Sequence, residues 1–397
     1  MKITIKRYSL PEILGLAALA IFLLFSLLSI TLYAQYISSK VYIIALFGII
    51  LLMFLKELIS ESYNLKSVIG LFVIFTLCFI IGNVTNYAPF FILGLFLIYS
   101  LRDLPFSDVA KVSFIISISV LLLVVLSSKF GIIPDYIEIS PTRVRHYLGF
   151  RYSLLPSTLM MNIIAISFFL KQGNTSYPRL LVLFLVSGWL YVETDSRLTF
   201  INSCLFLLVN LIMKLSPSII EKVGRLLKLF TFTYFINSCL SYWIAKTYLN
   251  TSNVVLNQFL YQADQFLGGR IYYSNRSLSL YGYKLLGQKI DWVGNGLSMQ
   301  GERSIGTYLY VDNLYIQTLQ HFGLIVSVII LSILTLTLVK LLKKGQMVLG
   351  IILVILSFHA LIDDLILNLY YNIFWILIGM LIYKEYQFND KKQLTIE

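Results

Sequence analysis

Apolar residues in this chain come in long runs, not in alternation. Twelve runs fall at about 10–32, 41–55, 68–83, 90–101, 112–126, 156–170, 180–192, 199–213, 229–245, 320–339, 347–362 and 369–383. Many are roughly 15–22 residues long, and a helix needs about 20 to cross a bilayer. Their continuity excludes a transmembrane β-barrel, whose strands alternate lipid-facing and lumen-facing residues. The expected fold is an all-α polytopic membrane protein of about twelve transmembrane helices, forming one integral membrane domain over residues 1–397. The first run is longer than the apolar core of a signal peptide and is expected to remain as a span.

Two polar intervals interrupt the runs, at 127–155 and 247–319. Loops of this length in a compact protein usually carry function. In the second, Leu256, Phe259, Leu260, Ala263, Phe266 and Leu267 recur with helical spacing between Asn253 and the Gly268–Gly269 pair, which predicts a helix with a glycine stop. A second helix, capped by Ser274 or Asn275, would carry Leu278, Tyr281 and Leu285 and end near Gly287. Both read as amphipathic helices lying in the membrane interface. Trp292, Gly294 and Gly296 predict a flexible turn after them.

Composition narrows the class. With 58% hydrophobic and 13% charged residues, the chain is too apolar for a soluble domain. Its net charge of +12 suits a neighbour of anionic lipid and requires no nucleic acid. Cys78, Cys204 and Cys239 all lie in apolar runs, which argues against a disulfide frame. No cofactor or metal is expected. Lys2, Lys6 and Arg7 precede the first run, so the N-terminus is expected in the cytoplasm. Twelve crossings return the C-terminus, with Lys384, Lys391 and Lys392, to the same side. On that topology fifteen of the twenty lysines face inward, but only Arg7, Arg102, Arg179 and Arg225 do among the arginines. Arg143, Arg145, Arg151, Arg197, Arg270, Arg276 and Arg303 face outward. A guanidinium grips phosphate or carboxylate through paired hydrogen bonds and stays charged, so the outer set points to an anion there. Headgroup contact is the plainer use of any single member.

Four short motifs hold several of these arginines. They are Arg143-Val144-Arg145-His146-Tyr147-Leu148-Gly149-Phe150-Arg151, Thr194-Asp195-Ser196-Arg197, Gly268-Gly269-Arg270-Ile271, and Asp312-Asn313-Leu314-Tyr315 followed by His321-Phe322-Gly323. Asp363 and Asp364 close the eleventh run, with His359 one turn inside. Each residue has a structural reading too. Asp312 could cap the tenth span, His321 could be packed, and Arg197 could pair with Glu193 or Asp195. Most tyrosines read as interface belt, with a few in the large loop free to stack on sugars.

In order and spacing, over roughly residues 140–380, these motifs resemble the O-antigen polymerase and ligase superfamily, most closely the oligosaccharide repeat-unit polymerases of the Wzy type. The matching residues are Gly149-Phe150, Ser196-Arg197, Gly269-Arg270, Asp312-Asn313-Leu314-Tyr315-Ile316 and Gly323-Leu324-Ile325. The chain departs from the pattern at Pro156-Ser157-Thr158, where many members have Asn after the proline. It departs again at Asp312, where ligases have His. The second departure favours polymerase over ligase, and leaves Asp312 and His321 both open as general base.

The resemblance implies a GT-C-like glycosyltransferase in a bacterial cytoplasmic membrane, with its active site outside the cytoplasm. The donor would be a glycan on undecaprenyl pyrophosphate, and the acceptor a second lipid-linked repeat unit. Membrane lipids, a flippase and a chain-length regulator would be its neighbours. Arg197 and Arg270 would hold the pyrophosphate, with Arg143, Arg145 and Arg151 assisting. Asp312 would take the acceptor proton, while Asn313, Tyr315, His146, Ser196, His321, Asp363 and Asp364 would contact substrate. With no Asp-x-Asp or histidine cluster in the sequence, the arginines would neutralise the leaving group without a metal. A lipid-linked oligosaccharide flippase is the competing expectation, although transporters usually show polar midplane helices and related halves. A transferase with its acids in the first outer loop fits less well, because residues 33–40 contain none.

Overall fold

The computed structural model describes residues 8–60, 63–84, 89–140, 143–216, 218–383 and 385–388. Lys2, Lys6, Arg7, Lys384, Lys391 and Lys392, on which the orientation of the termini was argued, lie outside them. The first five apolar runs form α1 (Leu10–Ser29), α2 (Ser39–Ile59), α3 (Leu65–Val84), α4 (Pro89–Ser100) and α5 (Phe106–Lys129). A β-hairpin follows, β1 (Ile137–Ser140) against β2 (Arg143–His146). Then come α6 (Leu155–Leu170), α7 (Tyr177–Thr194), α8 (Arg197–Leu215), α9 (Ile219–Leu227) and α10 (Thr233–Thr247). The large loop carries α11 (Val254–Leu267) and α12 (Arg270–Tyr281). The chain closes with α13 (Leu314–His321), α14 (Gly323–Lys343), α15 (Met347–His359) and a 3-10 turn, Ile373–Ile378, running into α16 (Gly379–Ile382).

The protein is thus mainly helical. Six helices, α1, α2, α3, α5, α8 and α14, are long and apolar enough to cross a membrane. The stretches at α4, α6, α15 and 373–382 are apolar but shorter. Two of these short helices have a physical reason. Every side chain from Leu155 to Phe169 in α6 is buried, and α15 is buried from Val348 to Ser357. A helix apolar on all sides belongs in a core. Sheathed by protein instead of lipid, α6 and α15 can stop short, because irregular backbone at that depth is tolerated where it is enclosed or lines a cavity.

The tenth run is broken where α13 meets α14. Gly323 has φ +85°, and a Cβ there would lie 2.2 Å from the Gly287 nitrogen; a Cβ on Gly287, φ +86°, would lie 2.1 Å from the His321 carbonyl. Only a pair of glycines allows this crossing. The loop then serves the helix start, with Leu324 N–H donating to Lys284 O (3.0 Å) and Ile325 N–H to Leu285 O (3.1 Å).

The loops add to or depart from expectation in four places. The 127–155 interval contains the hairpin, with Glu138 opposite Arg145 and Ile139 opposite Val144. α11 has the expected limits, but its stripe splits. Leu256, Leu260, Ala263 and Leu267 pack inward, while Phe259 and Phe266 are exposed beside Val254 and Val255. α12 starts at Arg270, ahead of Ser274 and Asn275, because the Asp264 carboxylate accepts the Ile271 (2.9 Å) and Tyr272 (3.0 Å) N–H groups. It ends at Gly282. Near Trp292 the chain is paired and extended, with Val293 bridged to Leu309 and Leu297 to Arg303.

Candidate active site

Where α6 begins and α15 ends, a cavity of about 210 Å³ opens, lined by Arg151, Tyr152, Arg270, Asn295, Tyr308, Tyr310, Asp312, Asp363 and Asp364 among others. Three local devices aim these side chains. First, α11 stops on Gly268 and Gly269, both at positive φ, and Asp264 caps α12. This reversal throws Arg270 into the cavity. Its Nε donates to Ile362 O (2.7 Å), its Nη1 to Leu267 O (2.8 Å), and its Nη2 lies 3.4 Å from Asp312 Oδ2.

Second, the cap of α13 is Asn313, not Asp312. The Asn313 side-chain oxygen accepts from Tyr315 N and Ile316 N, both at 3.1 Å, and its nitrogen donates to Ser241 Oγ and Leu361 O. With capping assigned to its neighbour, Asp312 is free to face Arg270. The same arrangement leaves the Asn313 amide no capacity for sugar. Third, the stretch before Asp312 is extended, so side chains alternate. Tyr308, Tyr310 and Asp312 line the cavity, while Leu309 and Val311 are buried behind them.

The other two acids follow α15. Asp363 Oδ2 lies 3.0 Å from His359 Nε2 and its Oδ1 accepts from Leu365 N (2.7 Å). The Asn202 amide nitrogen donates to Leu198 O (3.1 Å) and lies 3.0 Å from His359 Nδ1. That makes Nδ1 the acceptor and leaves Nε2–H to donate to Asp363. Asp364 Oδ2 accepts from Tyr310 OH and Gln317 Nε2, both at 2.7 Å. Burial, then the Asp312 and Asp363 charges, push Asp364 up to about 7, against those two hydrogen bonds. Burial also raises Asp312; Arg270 and Arg145 oppose the rise, and Asp363 adds to it. Three carboxylates therefore share one cavity, with Arg270 ion-paired to one of them.

Arg151 lines the opposite wall. Its Nε donates to Leu297 O (2.8 Å) and its Nη1 to Ser29 O (2.9 Å), pinning the 294–297 segment to the end of α1. Burial lowers its pKa. Among the described residues no carboxylate stands within ion-pair distance of it.

The remaining sequence candidates lie elsewhere. Arg197 does not pair with Glu193 or Asp195. It donates to Phe266 O and sits 5.0 Å over the Phe266 ring, tying α8 to the end of α11. Glu193 pairs with Lys129 (2.8 Å), and Asp195 with Arg143 (3.2 Å) and Arg145 (4.0 Å). Ser196 is buried in a hydroxyl cluster with Ser157 and Thr194. His146, at the end of β2, holds Asp135 at 2.6 Å at the open base of the hairpin. Tyr315 is in the core, donating to Ser357 O (2.7 Å). His321 packs against Trp292 at 4.5 Å. It does not line the cavity. Arg303 bonds Glu138 (2.9 Å) and joins the large loop to the hairpin.

Among the described residues, no group of three His, Cys, Asp or Glu side chains is arranged to hold a metal ion. No family model, curated protein or solved structure matches the chain. What it does must be read from these side chains. Tyr152, Tyr308, Tyr310 and Asn295 are cavity residues that the motifs did not select. For the two loop tyrosines the signal was present, in the alternation Tyr308-Leu309-Tyr310-Val311-Asp312.

Proposed function

We propose that the protein is a polysaccharide polymerase, a glycosyltransferase that joins lipid-pyrophosphate-linked repeat units on the outer face of a bacterial cytoplasmic membrane. The reading includes twelve crossings, a GT-C-like architecture and cytoplasmic termini. One observation carries it: Asp312 is released from capping by Asn313 and held 3.4 Å from Arg270 in a tyrosine-walled cavity. Each element has a chemical task. The acceptor hydroxyl attacks the anomeric carbon, the bond from that carbon to the pyrophosphate oxygen breaks, and the hydroxyl proton passes to Asp312. A carboxylate raised toward working pH is a stronger base than an ordinary one. Arg270 and Arg151 meet the charge that grows on the departing pyrophosphate. Asp364, raised to about 7, keeps a proton to donate to a sugar oxygen, and Tyr308 and Tyr310 offer ring faces.

This set is narrower than the motifs implied. Arg197, Ser196, His146, Asn313, Tyr315 and His321 support the frame in this reading. The test is purified protein in vesicles given undecaprenyl-pyrophosphate repeat unit, with and without EDTA. A product ladder unaffected by chelator is expected. Substrate left at its original length, or a ladder abolished by EDTA and restored by a divalent cation, would overturn the scheme.

A further inference from the structure

A second cavity, of about 340 Å³, lies between α3, α4, α14 and the 3-10 turn, walled by apolar side chains such as Leu77, Phe91, Ile330, Leu334 and Trp375. Its lining includes one cation, Lys66. Lys340 reaches the Met380 carbonyl beside it, and Lys344, one turn further along, lies 5.4 Å over the Phe388 ring. Among the described residues, none of these three lysines has a carboxylate within ion-pair distance. Lys66 on the wall of an apolar groove, with Lys340 and Lys344 at the end of α14, complements a ligand with an anionic head and a hydrocarbon body. We propose that this groove is a binding site for an anionic phospholipid, its phosphate among Lys66, Lys340 and Lys344 and its acyl chains between α3 and α14.

The site is independent of the polymerase reading. Its occupant replaces packing that α3 lacks, since only 28% of that helix's apolar window is buried within the protein. At the far end the groove meets Leu314 and Leu367, which follow closely on the cavity residues Asp312 and Leu365. A bound lipid would therefore brace both segments.

The test uses the full chain in phosphatidylcholine nanodiscs doped with a diazirine-bearing phosphatidylglycerol, or with the matching phosphatidylcholine probe. Each lysine near a phosphate contributes about 1 kcal/mol, so with three of them labelling of 65–84 and 323–343 by the anionic probe should exceed the zwitterionic one on the order of a hundredfold. The K66Q/K340Q variant should lose that preference, and K66R/K340R should keep it. Equal labelling by the two probes on the unaltered chain overturns the proposal without any substitution. So does a preference that survives K66Q/K340Q. Displacement of the label by polyprenyl phosphate, equally in the unaltered chain and in K66Q/K340Q, would mean an occupant held from the cavity end and would also refute it.

Discussion

The two ends of the helix bundle treat buried charge in opposite ways. Where α2 ends and α5 begins, Lys56 and Arg102 are fully buried, and each is matched by acid. Arg102 holds both oxygens of Glu57, at 2.9 and 3.0 Å, and lies 3.9 Å over the Tyr99 ring. Lys56 contacts Asp103, whose other oxygen accepts from Ser60 Oγ (2.8 Å). Two cations meet two anions there. At the other end Asp312, Asp363 and Asp364 share a cavity in which Arg270 is the ion-pairing partner of Asp312. A closed set of buried pairs holds helices together. A surplus of carboxylates facing an opening raises the proton affinity of its members and suits proton transfer.

Substitutions should separate the two ends. Asp312→Asn should cut polymerisation by about 10²–10⁴, the usual worth of a general base, while the protein still folds cooperatively because Asn313 keeps the cap. Arg102→Met should do the reverse. Glu57 would keep only its 3.3 Å contact with Lys56, and losing two charge-assisted hydrogen bonds should cost about 1.5–3 kcal/mol of stability, read by thermal unfolding in detergent, with turnover per folded molecule unchanged. Arg270→Lys keeps the charge but not the fork, and a loss of about 10² in kcat is expected.

Asp364 sharpens the contrast through pH. Its pKa in the folded protein, about 7, lies above the roughly 3.9 of an unfolded aspartate. Between those values the folded state keeps a proton that the unfolded chain releases, so this group's contribution to stability is full below about pH 4 and is lost as pH rises through about 7. Asp364→Asn should therefore match the unaltered protein at pH 4 and exceed it at pH 8 by up to about 4 kcal/mol, measured by melting at both pH values. Asn313→Ala should lower stability by about 2–3 kcal/mol, since the cap and the bonds to Ser241 and Leu361 go together.

Much of this was legible before the fold. Length and continuity of apolar runs located most of the helices, since both are local properties, but the twelfth run is a 3-10 turn with a four-residue helix and α9 lay outside every run. Gly268–Gly269 and Asn253 marked the ends of α11 correctly because stops and caps are local as well. Arg270, Asp312, Asp363 and Asp364 were selected as candidates and do meet, although Arg270 and Asp312 are 42 positions apart. Arg197 and Ser196 were selected beside them and do not line the cavity. Which face of α8 turns toward α11 depends on tertiary packing that no motif encodes. The alternative reading of Asp312 as the cap of α13 named the wrong neighbour, because Asp and Asn are equally good caps in isolation. The choice is made by Ser241 on α10 and Leu361 in the turn after α15, which hold the Asn313 amide. The α12 cap was misread for the same reason, since Asp264 reaches it from the preceding helix.

The most direct measurement compares product ladders from Asp312→Asn and Arg102→Met at equal amounts of folded protein, with undecaprenyl-pyrophosphate repeat unit as substrate. If the cavity end carries the chemistry and the opposite end only the frame, the ladder vanishes in the first and persists in the second. A normal ladder from folded Asp312→Asn would contradict that division.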